Sequence, residues 1–247
     1  MTQSTALIRS LQDKATVLDA ITGSFYSCHQ EFYRSDRVLV DHQAARAFSE
    51  IVTDFPKLKD LQLCQRVSQL TSAIRSRWFD QIVSDFLAQS SNAVVVNLRS
   101  RLCTRYWRLP TLHNHWYEVD NADIMELRQR YFTIVPRDFD IACDCMDFSW
   151  IPKVQRSEGQ PLLILLEGVC MYLKPEENQA LFQAIAQHFG QVHLIFDSVS
   201  PRFIADADQE VLNQSENFLG ERSSLFHWGM SSLSEMQSWS IQTQLIQ

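Results

Sequence analysis

Five short apolar segments, separated by polar and helix-like stretches, occupy the second half of this 247-residue chain. The segments are "NAVVVNL" (92–98), "HWYEVD" (115–120), "FDIACDC" (139–145), "PLLILLE" (161–167) and "QVHLIFDS" (191–198). Helical patterns lie between them at 121–132 and 174–189, and Pro175 stands at the expected first turn of the second one. Strands that alternate with helices predict an α/β fold with a doubly wound, mostly parallel sheet, whose ligand site lies beyond the carboxyl ends of the strands.

The chain before residue 91 has a different pattern. Apolar residues recur at three- and four-residue intervals in 5–21, 40–52 and 67–89, without an internal proline. We therefore predict an N-terminal helical cap over residues 1–90 and an α/β domain over residues 91–247, packed as one compact unit. The segment 240–247 is a candidate last strand, so the C-terminal strands of the sheet are expected to be few.

Charge and composition narrow the class of ligand. The formal net charge of −7 disfavours nucleic acid or an anionic membrane surface as the partner. No segment is long and apolar enough to span a membrane. Six dispersed cysteines without a signal peptide are typical of a reducing cytoplasm, so we expect a cytoplasmic protein with a small-molecule substrate.

One region departs from the acidic average. Residues 66–108 contain seven arginines, no lysine, and two acids, Asp80 and Asp85. Because a guanidinium binds planar oxygens in a bidentate fork, this excess favours an anionic ligand. Solvated helix faces and ion pairs explain it equally well, and the sequence leaves both interpretations open.

Carboxylates follow three successive predicted strands, at Asp120, Asp144 and Glu167. In such a sheet an acid after the second strand can accept both hydroxyls of a ribose, and an acid after the third can accept from an adenine amino group. A single acid at a strand end is more often a helix cap or a partner in a loop ion pair. Three in succession favour a nucleoside site.

Several segments together resemble a known family. They are "IRSRWFD" (74–80), "VVNL....TRYWRL" (95–109), "WYEVDNADIMELRQR" (116–130), "LLEGVCMYLKPEE" (165–177) and "FHWGM" (226–230). In this order they resemble the leucine carboxyl methyltransferase family, whose bacterial branch includes polyketide-synthesis O-methyltransferases similar to the tetracenomycin carboxyl methyltransferase. The resemblance runs from about Thr5 to the end of the chain.

The resemblance implies a Rossmann-like class I S-adenosylmethionine (SAM) methyltransferase fold with an N-terminal helical cap. It also implies a set of cofactor-binding residues. Arg75 corresponds to the arginine that binds the methionine carboxylate, and Asp120 to the ribose ligand. Asp144 with the backbone near Cys145 corresponds to the adenine ligand, and Glu167 to the acid that lines the site after the fourth strand.

The implied activity is methyl transfer to a carboxylate or hydroxyl of a small molecule, such as a secondary metabolite. A carboxylate acceptor needs alignment rather than a base, because the sulfonium of SAM is already an activated methyl donor. A hydroxyl acceptor needs a base, and the candidates are Tyr172, Asp197, His113 and His115.

The turn after the first strand departs from the family pattern. The family's turn has approximately the form N-L-G-x-G-x-D-T-R, whereas residues 97–105 place Arg99 and Arg101 at the two glycine positions and Cys103 at the aspartate position. Glycine tolerates a positive φ and has no side chain to obstruct a cofactor, and another residue pays about 1–2 kcal/mol there. Two added cations also make the site less favourable for the positively charged sulfonium.

This altered turn leaves three interpretations open. The first has Arg99 and Arg101 pairing with Asp120, Glu118 or Asp144 in a site without cofactor. The second is a weakened SAM site, and the third is a site for an anion or nucleotide. The first corresponds to an alternative function, in which a methyltransferase-fold pseudoenzyme acts as a binding or partner protein, for example as a homodimer.

Two smaller motifs predict no further chemistry. The pairs His113-x-His115 and Cys143-x-Cys145 offer too few ligands at recognisable spacing, so we predict no metal site. No adjacent base is identifiable for Cys103, which favours an ordinary buried thiol over a nucleophile.

Overall fold

The structure is a computed structural model of the chain. It describes residues 14–56, 58, 66–109, 115–132, 138–202, 204, 226–232, 234–239 and 241. Predictions about residues 5–13, His113 and the candidate strand 240–247, apart from residue 241, lie outside the described residues.

The N-terminal part is helical, as predicted for 40–52 and 67–89. Its described helices are α1 (Lys14–Ile21), α2 (Ser24–Phe32), α3 (His42–Asp54) and α4 (Arg66–Gln89). Helix α3 begins after Asp41, whose side chain accepts a hydrogen bond from the backbone N–H of Ala44 at 2.8 Å and so satisfies one of the free donors of the first turn. The boundary between a cap and an α/β domain at residue 90 stays a prediction.

The α/β pattern of the second half is confirmed. The strands are β1 (Val94–Leu98), β2 (His115–Asp120), β3 (Asp138–Ala142), β4 (Leu162–Leu166) and β5 (His193–Phe196). They form one sheet in the order β3-β2-β1-β4-β5, and every neighbouring pair is parallel. The order reverses at β1, which lies between β2 and β4, so the ligand site of such a sheet is expected beyond the end of β1.

Helices connect the strands. They are α5 (Arg105–Arg108), α6 (Ala122–Tyr131), α7 (Pro175–Phe189) and α8 (Ser234–Ser238), with 3-10 turns at Phe148–Lys153 and Cys170–Tyr172. Pro175 is at the first turn of α7, as predicted. Strand β3 ends at Ala142, earlier than the predicted 145, because Asp144 turns the chain by accepting a hydrogen bond from the backbone N–H of Met146 at 2.8 Å.

Apolar side chains bury both faces of the sheet. Strands β1 and β4 are buried along their whole length, as expected for the centre of a parallel sheet. Helix α7 covers one face with Leu181, Phe182 and Ile185, whereas α4 covers the other with Val83 and Leu87. The sheet, including the carboxyl ends of its strands, therefore lies between a helical layer with α7 and one with α4.

The helical cap packs against α6 and the turn after β1. Phe25 and Phe48 belong to the same buried cluster as Leu102, Ile124 and Leu127. The cap is thereby attached to the edge of the sheet where the ligand site is expected. Within the described ranges, no helix is both long and apolar enough to cross a membrane.

His29 in this cap predicts a pH dependence of stability. The imidazole is 9% exposed, stacks on Phe48 with 4.0 Å between ring centroids, and its Nδ1 has no hydrogen-bond partner among the described residues. Burial lowers its pKa from 6.5 to about 4. His29 therefore takes up a proton at a higher pH in the unfolded chain than in the folded chain. The free energy of unfolding consequently falls as the pH drops from about 6.5 to 4, by up to about 3 kcal/mol.

We expect the variant His29→Phe to lose this component of the pH dependence, measured as the free energy of unfolding in urea between pH 7 and pH 4. His188→Phe, at an exposed position of α7, serves as the matched control. Equal pH profiles for the wild type and His29→Phe would contradict the assignment.

Candidate functional site

The turn after β1 keeps the backbone conformation of a glycine turn although it contains no glycine. Arg99 has a φ of 50° and Arg101 a φ of 47°, and they are the two non-glycine residues with positive φ in the described part of the chain. Each costs about 1–2 kcal/mol relative to a right-handed conformation. The surrounding contacts must therefore stabilise this turn.

Arg128 of α6 supplies one set of these contacts. Its Nη1 donates to the carbonyl oxygens of Arg101 and Cys103, both at 3.0 Å. The Arg128 side chain is 2% exposed, and its Nη2 lies 3.3 Å from a carboxylate oxygen of Glu118 in β2. A buried guanidinium thus holds two carbonyl groups of the turn and is itself neutralised within the sheet.

Glu118 is fully buried and bound from several sides. Its carboxylate accepts hydrogen bonds from Asn97 Nδ2 and Trp116 Nε1, both at 2.8 Å. Burial raises the pKa of Glu118, and the charge of Arg128 together with these hydrogen bonds opposes the rise. Glu118 was one of the acids considered as a partner for Arg99 and Arg101. In the structure it binds Arg128 and so helps to stabilise the turn.

A conservative change at Arg128 tests this support. A lysine keeps the charge but cannot hold two carbonyl groups and a carboxylate in one planar fork. We expect Arg128→Lys to lower the free energy of unfolding by about 1–2 kcal/mol and to speed hydrogen exchange at the Arg101 amide. Arg130→Lys, whose side chain pairs with Asp54 on the exposed face of the same helix, should change the free energy of unfolding by less than about 0.5 kcal/mol and leave this exchange unaltered, and similar results for both variants would refute the assignment.

Asp120 closes the turn from the neighbouring strand. One carboxylate oxygen accepts the backbone N–H of Arg101 at 2.7 Å, and the other accepts the N–H of Asn121 at 2.8 Å. Burial raises the pKa of Asp120, and these two N–H groups and the charge of Arg99 counteract the rise. The carboxylate is thus oriented at the edge where the sequence predicts the ribose site.

The residues predicted to bind adenine lie after β3. Asp144 is exposed, and Cys145 is buried with a carbonyl that accepts from Trp150 Nε1 at 3.0 Å. Burial raises the pKa of the Cys145 thiol to about 12, and the charge of Arg99 opposes this rise. The charge of Arg99 thus opposes the effect of burial on the pKa of both Asp120 and Cys145.

Glu167, directly after β4, is the centre of a buried polar cluster. One carboxylate oxygen accepts from Ser24 Oγ at 2.6 Å, Ser76 Oγ at 2.8 Å and Arg75 Nε at 3.2 Å, and the other accepts from Arg105 Nη2 at 2.5 Å. Burial by itself would raise the pKa of Glu167, but the two guanidinium groups and the hydrogen bonds hold it well below its ordinary value. Glu167 is therefore ionised and saturated with donors.

Arg75 of α4 is bound between two acids. Besides Glu167, its Nη1 lies 3.2 Å from Asp197, and its Nη2 donates to Ser24 at 3.0 Å. A side chain at Gly168 would stand 3.1 Å from this guanidinium, so glycine leaves the room that Arg75 occupies. Arg75 and Glu167 are thus close to each other, as their proposed roles at one end of a cofactor require. They also form an ion pair with each other.

Two further arginines extend the cluster towards the cap. Arg105 also binds Asp80 at 2.7 Å, and Arg108 binds Asp80 at 2.7 Å and Asp41 at 2.6 Å. Thr104 Oγ1 donates to the same oxygen of Asp41 at 2.5 Å. These bonds link α3 and α4 of the cap to the edge of the sheet.

The local excess of arginine is therefore largely compensated by acids far away in the chain. Arg75, Arg105 and Arg108 pair with Glu167, Asp197 and Asp41 as well as with Asp80, and Arg66 pairs with Glu31. For these four arginines the ion-pair interpretation is the right one. Arg99 differs, because its half-buried side chain forms no hydrogen bond or ion pair with the residues that the structure describes.

The candidate bases are distributed unevenly. His115 is the first residue of β2, at the amino end of the strand, so it stands about 16 Å from the carboxyl ends and its candidacy as the base is wrong. Tyr172 is half-buried in the turn after β4 and packs edge-on against Phe226, 5.0 Å between ring centroids. Asp197, after β5, accepts the backbone N–H of Gly168 at 2.6 Å, and burial raises its pKa despite Arg75.

Segment 226–230, which carries part of the family resemblance, lies against this turn. The backbone N–H of His227 donates to the carbonyl of Met171 at 2.8 Å. Gly229 permits a close approach, since a side-chain carbon there would lie 2.7 Å from the carbonyl oxygen of Val199. The segment thus encloses the end of the sheet beside Tyr172.

Cys103, the cysteine considered as a nucleophile, lies in surroundings that disfavour its thiolate form. Burial raises the pKa of the Cys103 thiol, although Arg105 lies nearby. Cys28, Cys103, Cys143, Cys145 and Cys170 are all free thiols. In the described residues there is no group of three or more His, Cys, Asp or Glu side chains that could hold a metal ion.

Several residues of the site carried no signal in the sequence. Ser24, Ser76 and Asp41 bind the ionic cluster from the cap, and Arg128 supports the turn from α6. The partners in these four contacts are 27 to 143 positions apart, and serines, acids and arginines at such separations are common on any surface. The segment that contains Arg128 was recognisable only as part of the family resemblance.

A parallel sheet in the order β3-β2-β1-β4-β5, with acids after β2 and β4 beside a left-handed turn after β1, defines the class I SAM-dependent methyltransferase fold. The family can be stated more narrowly. The leucine carboxyl methyltransferase model matches residues 27–186, and this chain belongs to that family of SAM-dependent methyltransferases. A comparison with curated proteins gave no match.

The solved structures that resemble this chain are distant from it in sequence. The O-methyltransferase NcsB1 of neocarzinostatin biosynthesis, solved with SAM and a naphthoic acid, is 14% identical, with 92% of this chain and 67% of that chain covered and a TM-score of 0.41. Magnesium protoporphyrin IX methyltransferase from Synechocystis, with bound S-adenosylhomocysteine (SAH), is 11% identical over 72% and 80%, with a TM-score of 0.42.

The human N-acetylserotonin methyltransferase, in complex with SAM, is 13% identical with a TM-score of 0.42. The match covers 69% of this chain and 49% of that one, so the chain spans about half the length of the human protein.

Proposed function

We propose that this chain is a SAM-dependent O-methyltransferase that acts on a carboxylate or hydroxyl of a small molecule. The observation that carries the proposal is that Arg75, Asp120 and Glu167, from three distant parts of the sequence, meet at one edge of the sheet around the turn after β1. The roles that this proposal gives to the three residues are those that the family resemblance implies.

The residues fit the adenosine end of SAM. Asp120 offers oriented oxygens to the ribose hydroxyls, since each of its oxygens holds one N–H and retains a free lone pair. Asp144 and the backbone at Cys145 stand one strand further out, where an adenine amino group would be accepted. At this end the two acceptor residues that the resemblance implies, Asp120 and Asp144, are both present.

The methionine end fits only after an exchange of partners. Arg75 would take the methionine carboxylate and Glu167 the ammonium group, but at present the two side chains bind each other. Because Arg105 and the two serines remain on Glu167, this carboxylate keeps its charge when Arg75 turns away. Arg75, whose side chain is 29% exposed against 7% for Glu167, is the more exposed member of the pair and the one that we expect to exchange its partner.

SAM, when bound, supplies a methyl group that is already activated on a sulfonium. The chain then has to align an acceptor oxygen and exclude water. For a carboxylate acceptor no base is needed. For a hydroxyl acceptor we favour Asp197, whose raised pKa and proximity to the edge suit a general base, with Tyr172 as the alternative.

A second candidate function is a binding or partner protein that retains the fold without using SAM. It is favoured by the Arg99 and Arg101 side chains at the glycine positions and by the pairing of Arg75 with Glu167 and Asp197. This is the pseudoenzyme alternative, and it predicts that the site contributes stability and shape rather than chemistry.

Calorimetric titration of the protein with SAM and SAH separates the two. The enzyme proposal expects heat and a ligand-dependent rise in melting temperature. A transfer of labelled methyl from SAM to a panel of aromatic acids and phenols would then establish the activity. No heat and no thermal shift with millimolar SAM or SAH would refute the enzyme proposal and leave the binding protein.

A further inference from the structure

We propose that the site also accepts adenosine 5′-phosphates, with the phosphate bound by Arg99, so that such nucleotides compete with SAM. The inference rests on the proposed function for its adenosine site, which the two ligands share. It goes beyond that function in assigning to the altered turn an anionic ligand and a regulatory role.

The sheet register locates Arg99 at the centre of the site. Leu98 pairs with Val119 and Asn97 with Leu165. Continued by one and two residues, these registers set Arg99 level with Asp120 on one side and with Glu167 on the other. In this proposal a ligand whose ribose binds Asp120 extends the group on its 5′ carbon past Arg99, the residue that follows the central strand β1.

The charge at Arg99 is available to a ligand. Its half-buried guanidinium forms no hydrogen bond or ion pair with a residue in the described ranges. It acts on Asp120 and Cys145 only through its field, in both cases against the larger effect of burial. Arg75, Arg105 and Arg108, by contrast, are already bound to Glu167, Asp80, Asp41 or Asp197.

Two carbonyl groups of the turn are bound by Arg128 and are not directed at the proposed phosphate position. Arg128 binds the carbonyl oxygens of Arg101 and Cys103 from beneath. Carbonyl oxygens that face a ligand would repel a phosphate, and here two of them are directed at a buried guanidinium. Arg99 keeps the left-handed φ of 50° that suits glycine, so the turn gains a cationic side chain at a position where the family pattern has none.

These features match a phosphate better than a sulfonium. A guanidinium and a phosphate form paired, charge-assisted hydrogen bonds, whereas a guanidinium beside a sulfonium is repelled. The ribose and adenine contacts are common to both ligands. The substitution of the glycines therefore converts a position that tolerates a cation into one that favours an anion on the same nucleoside.

The test is calorimetric titration with adenosine, AMP, ADP and SAH at low and moderate salt, using the wild-type chain and two variants. Arg99→Gln removes the charge and retains a side chain in the left-handed conformation. Arg156→Gln is the matched control, because Arg156 binds a carbonyl at Gln191 before β5, at the opposite edge of the sheet.

We expect the wild type to bind AMP at least tenfold more tightly than adenosine, with a preference that weakens as salt rises. In Arg99→Gln the ratio should fall to about one, while Arg156→Gln should keep it. Competition between AMP and SAH should fit a model with a single shared site. A wild-type ratio near one, a ratio that survives in Arg99→Gln, or no AMP binding at millimolar concentration would each overturn the proposal.

These outcomes are separable from failure of the proposed function. If AMP binds through Arg99 but SAM and SAH give neither heat nor a thermal shift, the enzyme proposal fails and the nucleotide site stands. If SAM is bound and used but AMP shows no advantage over adenosine, the nucleotide proposal alone fails.

Discussion

Replacing Glu167 by alanine is expected to lower the free energy of unfolding by about 3–5 kcal/mol, because it leaves the buried guanidinium of Arg105 and the half-buried one of Arg75 without their common partner. Arg105 is fully buried, and the desolvation of its charge is compensated by Glu167 and Asp80. Burial disfavours the charged form of Arg105, but these acids outweigh that effect and raise its pKa. Arg105 therefore keeps its proton in the folded chain.

The measurement is urea unfolding at pH 7, with Glu158→Ala at an exposed turn as the control, which should shift stability by less than about 0.5 kcal/mol. The loss should be smaller in acid. Since the pKa of Glu167 is depressed in the folded chain, its contribution is present above the unfolded pKa of about 4.3 and declines as the pH falls below it. A Glu167→Ala protein within 1 kcal/mol of wild type would show that the cluster does not hold the cap.

Restoring both glycines, in the double variant Arg99→Gly/Arg101→Gly, is expected to tighten SAM binding by at least tenfold. Two effects act in the same direction. Two unit charges separated by roughly 6 Å repel by roughly 3 kcal/mol at an effective dielectric constant of 20, so removing a guanidinium beside the sulfonium favours SAM. The left-handed conformation at both positions also becomes free of side-chain crowding.

SAH serves as the internal control, because its sulfur is uncharged. The double variant should therefore gain less for SAH than for SAM, and it should lose the preference for AMP over adenosine. If the wild type already binds SAM as tightly as the double variant, the arginines do not obstruct the cofactor, and the second candidate function loses its main support.

Fold class was accessible from the sequence because periodicity and strand length are local properties. Strand β2 occupies the predicted residues 115–120, and Pro175 begins α7 where its lack of an N–H costs nothing. The end of β3 was placed too late, since the turn at Asp144 depends on one side-chain hydrogen bond that apolar patterning does not reveal.

The candidate site was accessible in part. Acids after β2 and β4 could be placed at one edge because parallel strands end together, and the family motif identified Arg75. Whether the altered turn would keep its left-handed path could not be predicted, because this depends on Arg128 and Asp120, which reach it from other elements.

The sequence by itself determined the alternation of strands and helices, the family, and the presence of two arginines where glycines are expected. Tertiary structure decided which charges remain available. Arg75, Arg105 and Arg108 are neutralised by acids up to 122 positions away, whereas Arg99 is left without such a partner among the described residues. The physical reason is that ion pairing acts over a few ångströms of space and is indifferent to distance along the chain.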